Sequence, residues 1–188
     1  LAVNGIEPGR LKRKPRPTYV VGITGADSVK TQRPKYEELA GPSLVWRNRD
    51  GPGDSTIGPP DASPGAAGTC NFLSAERGAK AFQGVSAENA HHDEDHGDWE
   101  VWQEAGWRVA DDDGFQTLTA TPTRGWTPLL TNLLRPDGSE EVPREPPLVI
   151  RLDSLDNPHV RRASIERVLR GLSPTLQRMR RFGDVVAL

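Results

Sequence analysis

The residues best suited to chemistry are concentrated between positions 90 and 107, where the sequence reads AHHDEDHGDWEVWQEAGW. This stretch holds three of the four histidines, six acidic residues and three of the five tryptophans. Imidazole and carboxylate groups are common protein ligands of divalent metals. Three alternatives are open for it: a divalent-metal site, a pH-sensitive histidine contact, or a solvated acidic loop before a hairpin.

The candidate metal ligands are His91, His92, Asp95 and His96. His92 and His96 are four residues apart, a spacing that would place both on one face of a helix. His91, Asp93 and Asp95 instead share one side of an extended chain, because side chains alternate along a strand. The ion would be Zn²⁺, Mn²⁺ or Mg²⁺, and the chemistry that of a metal-dependent hydrolase or nuclease.

Other catalytic motifs are absent from the sequence. A phosphate-binding P-loop needs G-x-x-x-x-G-K-[ST], because glycine lets the backbone wrap around phosphates. Lys30 and Thr31 would end such a motif, but Thr24 and Val29 occupy both glycine positions. There is no G-x-S-x-G elbow for a serine nucleophile, and Cys70 is expected to pack rather than to react. The sequence therefore favours a non-enzymatic role without deciding it.

The predicted fold that positions these residues is α+β, with a small, mainly antiparallel β core, a C-terminal helix pair and long Gly/Pro-rich arms and loops. Residues 18–24, 43–47, 115–121 and 147–153 are rich in strand-forming types. Residues 98–109 are interpreted as a hairpin with Trp99 and Trp107 on its core face. An apolar stripe after Asn157 and Pro158 predicts the first C-terminal helix, and Ser173-Pro174 predicts the second, ending at Gly183.

Composition predicts a modest core with extended segments. Only 35% of the 188 residues are hydrophobic, while 19 glycines and 17 prolines break regular structure. We predict a basic arm over residues 1–17, a mainly β domain over 18–156 and an Arg-rich helical segment over 157–188.

Residues 50–69, with five glycines and four prolines, are interpreted as one long loop. Loops of this length commonly carry function or lie against a neighbour.

Charge is distributed unevenly although the net charge is only −2. Five basic residues and one acid give residues 1–20 a charge of +4, and eight arginines and three acids give residues 151–182 a charge of +5. Between them, ten acids and one base give residues 88–113 a charge of −9. Such asymmetry favours binding of acidic partners by the ends. The predicted interface residues are Arg10, Lys12, Arg13, Lys14, Arg16, Arg178, Arg180 and Arg181.

The sequence also bounds the setting of the protein. A single cysteine excludes an internal disulfide, and no apolar run approaches the length of a membrane span. We therefore expect a soluble chain in a virion or an intracellular complex, and Leu1 at its start suggests processing of a longer precursor.

The function favoured by these features is a structural or assembly component of a larger complex, such as a virion or phage particle part or a ribonucleoprotein accessory subunit. Its partners would be protein neighbours, with nucleic acid as a further partner, and no cofactor is required. The metal-dependent hydrolase or nuclease and a basic-armed nucleic-acid-binding module are the alternatives.

Overall fold

The computed structural model of the chain describes residues 16–47, 55–63, 68–84, 86–110, 114–134 and 148–186. Within these ranges six strands form one sheet in the order β2-β3-β4-β1-β5-β6. The strands are β1 (Thr18–Gly22), β2 (Val45–Arg47), β3 (Ser55–Gly58), β4 (Cys70–Ser74), β5 (Asn89–Asp93) and β6 (Phe115–Thr119). The α-helices are α1 (Gly25–Asp27), α2 (Arg33–Ala40), α3 (Trp99–Ala110), α4 (Pro128–Leu134), α5 (Arg162–Arg170) and α6 (Pro174–Phe182).

Most of the sheet is parallel, so the predicted mainly antiparallel core is wrong. Strands β4, β1, β5 and β6 run in one direction, while β3 pairs antiparallel with both β2 and β4. The burial of β1 gives the physical reason: four of its five residues are buried. A strand covered on both faces is typical of a parallel sheet with helices on each side.

Two apolar clusters cover the central strands, one on each face. The α3 face is packed around Val21, Ala90 and Val101, together with Tyr19, Leu73, Ala75, Phe82, Ala87, Ala105 and Val109. The opposite face, which we call the α2 face, is packed around Val20, Ile57 and Phe72, with Tyr36 and Trp46 against them. Neighbouring strand residues therefore point to opposite faces, and this alternation decides where each histidine goes.

Residues 99–110 form a helix, so the predicted hairpin is wrong. Val101, Ala105 and Val109 recur every four residues and are at most 4% exposed, which is the inward stripe of a helix. Trp107, predicted to be in the core, is 70% exposed. The helix connects the parallel strands β5 and β6, a connection that a tight turn could not make.

The prediction of one long loop over 50–69 is also wrong in part, because β3 lies inside it. Residues 59–63 and 68–69 contain no helix or strand, and residues 50–54 and 64–67 lie outside the described ranges. The strand predicted over 147–153 is wrong as well: Leu148, Ile150 and Leu152 are in irregular structure and 73–89% exposed. In the described chain this apolar segment has no strand beside it to pair with.

The C-terminal helix pair is confirmed, with a shifted start. The chain first makes a 3₁₀ turn at Ser154–Asp156, and α5 begins at Arg162 rather than at Pro158. The second helix, α6, follows its local signals closely: the Ser173 side chain accepts from Leu176 N–H and Gly183 ends it with φ +65°. No helix in the described ranges has the length and apolarity to cross a membrane.

Candidate functional site

The stretch rich in histidine and acid leaves the sheet at the carboxyl ends of the parallel strands. It starts in β5, passes through a loop at residues 94–98 and enters α3. Because β4, β1, β5 and β6 run in one direction, their last residues, Ser74, Gly22, Asp93 and Thr119, share this edge. In open α/β sheets this is the edge outside which ligands bind, so we take it as the candidate site.

Asp93 is the last residue of β5 and points to the α2 face. Its carboxylate accepts two hydrogen bonds: Thr119 Oγ1 donates to Oδ1 and Gln32 Nε2 donates to Oδ2, each at 3.4 Å. Both donors are neutral groups at the upper limit of hydrogen-bond length. The carboxylate is therefore oriented by its neighbours, and none of the described residues places a cation against it.

Glu94 follows in an unusual backbone conformation. Its φ of +67° makes it the one non-glycine residue with positive φ among those described. Two hydrogen bonds hold it there: its backbone N–H donates to Thr119 O at 2.7 Å, and its side-chain Oε2 accepts from Thr121 N–H at 3.0 Å. Strain of this kind costs about 1–3 kcal/mol and is concentrated at functional sites.

The pair Asp93 and Glu94 has no cationic partner in the part of the chain that the structure describes. Two uncompensated carboxylates next to each other favour the binding of a cation. The donor set consists of oxygens, which suits Mg²⁺ better than Zn²⁺. In the described ranges no three His, Cys, Asp or Glu side chains are grouped to hold a metal ion. Mg²⁺ needs no such group, because it commonly uses one or two carboxylates with substrate phosphates and water.

The four ligands predicted from the sequence lie in two different surroundings. His92 and His96 come together on the α3 face, where His92 Nδ1 is 3.0 Å from His96 Nε2. His91 points to the α2 face and contacts Thr117 Oγ1 at 2.8 Å. Asp95 is 4% exposed and accepts from Gly97 N–H and from Thr127 Oγ1. A metal bound by all four residues stays a prediction, but the structure pairs only His92 with His96.

Burial determines the protonation of this histidine pair. Desolvation, followed by the nearby charges of His96 and His91, holds the pKa of His92 well below its ordinary value. Desolvation also lowers the pKa of His96, against the opposite effect of Asp95 and Asp98. Both imidazoles are therefore neutral in the folded chain near neutral pH. They act as polar core groups. The Gln116 amide nitrogen lies 3.2 Å from His92 Nε2 and also donates to the carbonyl oxygen of Trp102.

We expect the stability of the fold to decrease as the pH falls below about 6.5. An unfolded chain then protonates its histidines while folded His92 stays neutral, so each pH unit costs up to about 1.4 kcal/mol per buried histidine. Urea unfolding at several pH values between 7.5 and 5 measures this slope. His92→Gln should flatten it, whereas His159→Gln, a change at an exposed histidine, should not. A slope unchanged in His92→Gln would contradict the prediction.

The segment after β1 shows why no phosphate-binding loop is formed there. It turns directly into α1, and its first donors are already occupied: Thr24 N–H donates to Asp27 Oδ2 at 3.1 Å and Gly25 N–H to Glu76 Oε1 at 2.9 Å. Carboxylates thus take the positions that a phosphate would need. Lys30 and Thr31 lie further along, in a π-helical turn.

The ligand set predicted from the sequence leaves out Asp93 and Glu94, although Asp93 alternates with His91 and Asp95. The signal was an acid pair at the end of a strand in which Ala90 and His92 are buried. This signal depends on the parallel pairing of β5 with β1 and β6, because only parallel strands place their carboxyl ends at the same edge of the sheet.

The predicted interface residues are separated by the structure. The described residues begin at Arg16, so they do not include Arg10, Lys12, Arg13 and Lys14. Arg178 and Arg181 form ion pairs within the chain, with Asp184 and Asp153 respectively, each at 2.9 Å. The hydrogen bond that Asp153 accepts from Arg181 is the largest of the effects that lower the pKa of Asp153. Arg180 is exposed and has no ion-pair partner among the described residues.

Comparison with known proteins gives a fold likeness and no family. No protein-family model matches the chain, and no curated protein matches it. Two crystal forms of the large terminase from a thermophilic bacteriophage are similar in structure, with TM-scores of 0.65 and 0.61 and 16% sequence identity in both cases. Each comparison covers 94% of this chain, but 42% and 41% of the terminase. The chain thus spans less than half the length of that protein and shares the fold of one part of it.

Proposed function

We propose that this chain provides the acidic, cation-holding side of a phosphoryl-transfer site in a phage assembly protein. The observation that carries the proposal is the position of Asp93 and Glu94, two carboxylates without a cationic partner in the described chain, at the carboxyl end of a parallel strand. Phosphoryl transfer depends on positioning and on neutralising developing charge rather than on covalent chemistry. An acid pair at this edge is suited to that task.

In this proposal the two acids have different roles. Asp93 is held by Gln32 and Thr119 in a fixed orientation and would bind the cation through its free lone pairs. Bound Mg²⁺ would neutralise charge on the phosphate oxygens. Glu94, exposed and fixed by the Thr121 bond, would orient the attacking water and accept its proton.

The helix start after β1 does not supply the phosphate-binding side of the proposed site. The helix start after β1 is already occupied by carboxylates. The outer edge of β6 pairs with no other strand in the ranges described, and its last residue, Thr119, lies beside Asp93.

The phage setting is supported by the fold likeness to a bacteriophage large terminase. Fold likeness alone does not assign a function, so the setting is part of the proposal. It agrees with the assembly component expected from the charge distribution and the extended segments. Protein neighbours in a larger complex and a nucleic acid remain the proposed partners.

A test of the cation site uses Mn²⁺ in place of Mg²⁺, with binding followed by electron paramagnetic resonance. We expect the chain to bind Mn²⁺ and Asp93→Asn to weaken binding at least about tenfold, because it removes the ligand charge. Glu94→Gln should weaken binding less, since its proposed role concerns water. Asp61→Asn, a change at an exposed acid in the turn after β3, is the control. Equal affinity in the wild type and Asp93→Asn would refute the proposal.

A further inference from the structure

Gln32 is a buried amide in direct contact with the acid pair. Its side chain is 4% exposed and donates to Asp93 Oδ2 at 3.4 Å. On the other side it lies against Gly22, where a Cβ atom would come within 3.2 Å of both amide heteroatoms. An ionised carboxylate can only accept hydrogen bonds, so the NH₂ group of the amide must face Asp93.

The backbone that presents Gln32 is itself unusual. Residues Ser28–Gln32 form a π-helical turn in which Arg33 N–H donates to Ser28 O, one residue further back than in an α-helix. Pro34 follows and has no N–H to continue an α-helical bond. Such π-turns are rare and frequently lie at functional sites. Here the widened turn ends with the glutamine side chain beside the last residue of β5.

The chemistry of an amide suits a support for a metal-binding carboxylate. A lysine or arginine here would hold Asp93 equally well but would cancel the charge that attracts a cation. The amide orients the carboxylate and leaves that charge in place, as does the Thr119 hydroxyl on the other oxygen. Gln32 Oε1 is buried and has no hydrogen-bond partner among the described residues. The amide therefore supports the site through the bond that its NH₂ group donates to Asp93.

We infer that Gln32, presented by the π-helical turn, is the positioning residue that orients the Asp93 carboxylate for cation binding. This inference rests on the function proposed above. It adds a residue from a distant part of the chain, 61 positions before Asp93. Groups that orient metal ligands in this way commonly contribute about 10–100-fold to metal affinity.

The test compares Mn²⁺ binding in the full chain and in Gln32→Met, which keeps the length of the side chain and removes its donor. We expect affinity to fall about tenfold. Gln103→Met is the control, because Gln103 is exposed on α3. Urea unfolding without metal gives a second readout: Gln32→Met should lower the midpoint more in the wild type than in the Asp93→Ala background, which lacks the acceptor for the amide.

A measurement on the unaltered chain covers the case in which Gln32→Met does not fold. The side-chain amide NMR signals of Gln32 should shift when Mg²⁺ is added, and those of Gln103 should not. If Asp93→Asn loses Mn²⁺ while Gln32→Met keeps wild-type affinity, or if the Gln32 signals do not move, this inference is overturned and the proposed function stands. If the wild type binds no Mn²⁺, the proposed function itself fails.

Discussion

Phe72→Ala is expected to lower the free energy of unfolding by about 3–5 kcal/mol. The Phe72 side chain is 1% exposed on β4 and lies at the centre of the α2-face cluster. Its ring meets Tyr36 edge-on and Trp46 at a tilt, with centroids 5.0 Å away in both cases. Truncation removes these contacts and leaves a cavity that α2 and β2 cannot readily fill, because the three rings support one another.

Urea unfolding of the wild type and the variant measures this loss. Phe115→Ala is the matched control, since Phe115 is also on a strand but is 61% exposed. It should cost no more than about 0.5 kcal/mol, as surface substitutions usually do. Equal losses in the two variants would mean that Phe72 is not a core residue or that the exposed edge of β6 is covered in solution.

Gly114→Ala is expected to cost about 3 kcal/mol, at the upper end for overpacking. A Cβ atom at Gly114 would lie 1.9 Å from Glu88 O and 3.0 Å from Val109 O, both backbone atoms. Neither can move without displacing the start of β5 or the end of α3. The close approach lies just before β6, the strand whose register with β5 places Thr119 beside Asp93.

The measurement is again the free energy of unfolding, with Gly171→Ala as the control. Gly171 has φ −82° in the helical region, and its added Cβ would meet Val168 O at an ordinary 3.5 Å. That variant should be neutral or slightly stabilising, because alanine restricts the unfolded chain. A Gly114→Ala variant as stable as Gly171→Ala would contradict the close packing of α3 and β5.

The sequence alone determined the features that depend on neighbouring residues. The caps of α6 are an example: a serine side chain can reach the N–H three residues ahead, proline fits the first helical turn, and glycine tolerates the left-handed exit. The end of α2 at Gly41, with φ +74°, follows from the same local chemistry. So does the strand character of β1 and β6, whose residues are largely β-branched, aromatic or apolar.

The tertiary structure alone decided which strands pair and therefore where the site lies. The tryptophans of residues 99–110 also fit a hairpin, and only the parallel pairing of β5 with β6 requires a helix between them. In the sequence, Asp93 is one of six acids in residues 90–107. The pairing of β5 with β1 and β6 places it at the carboxyl edge of the sheet. Its support from Gln32 joins residues 61 positions apart. Such pairings arise from contacts between distant segments, which no pattern along a single chain segment encodes.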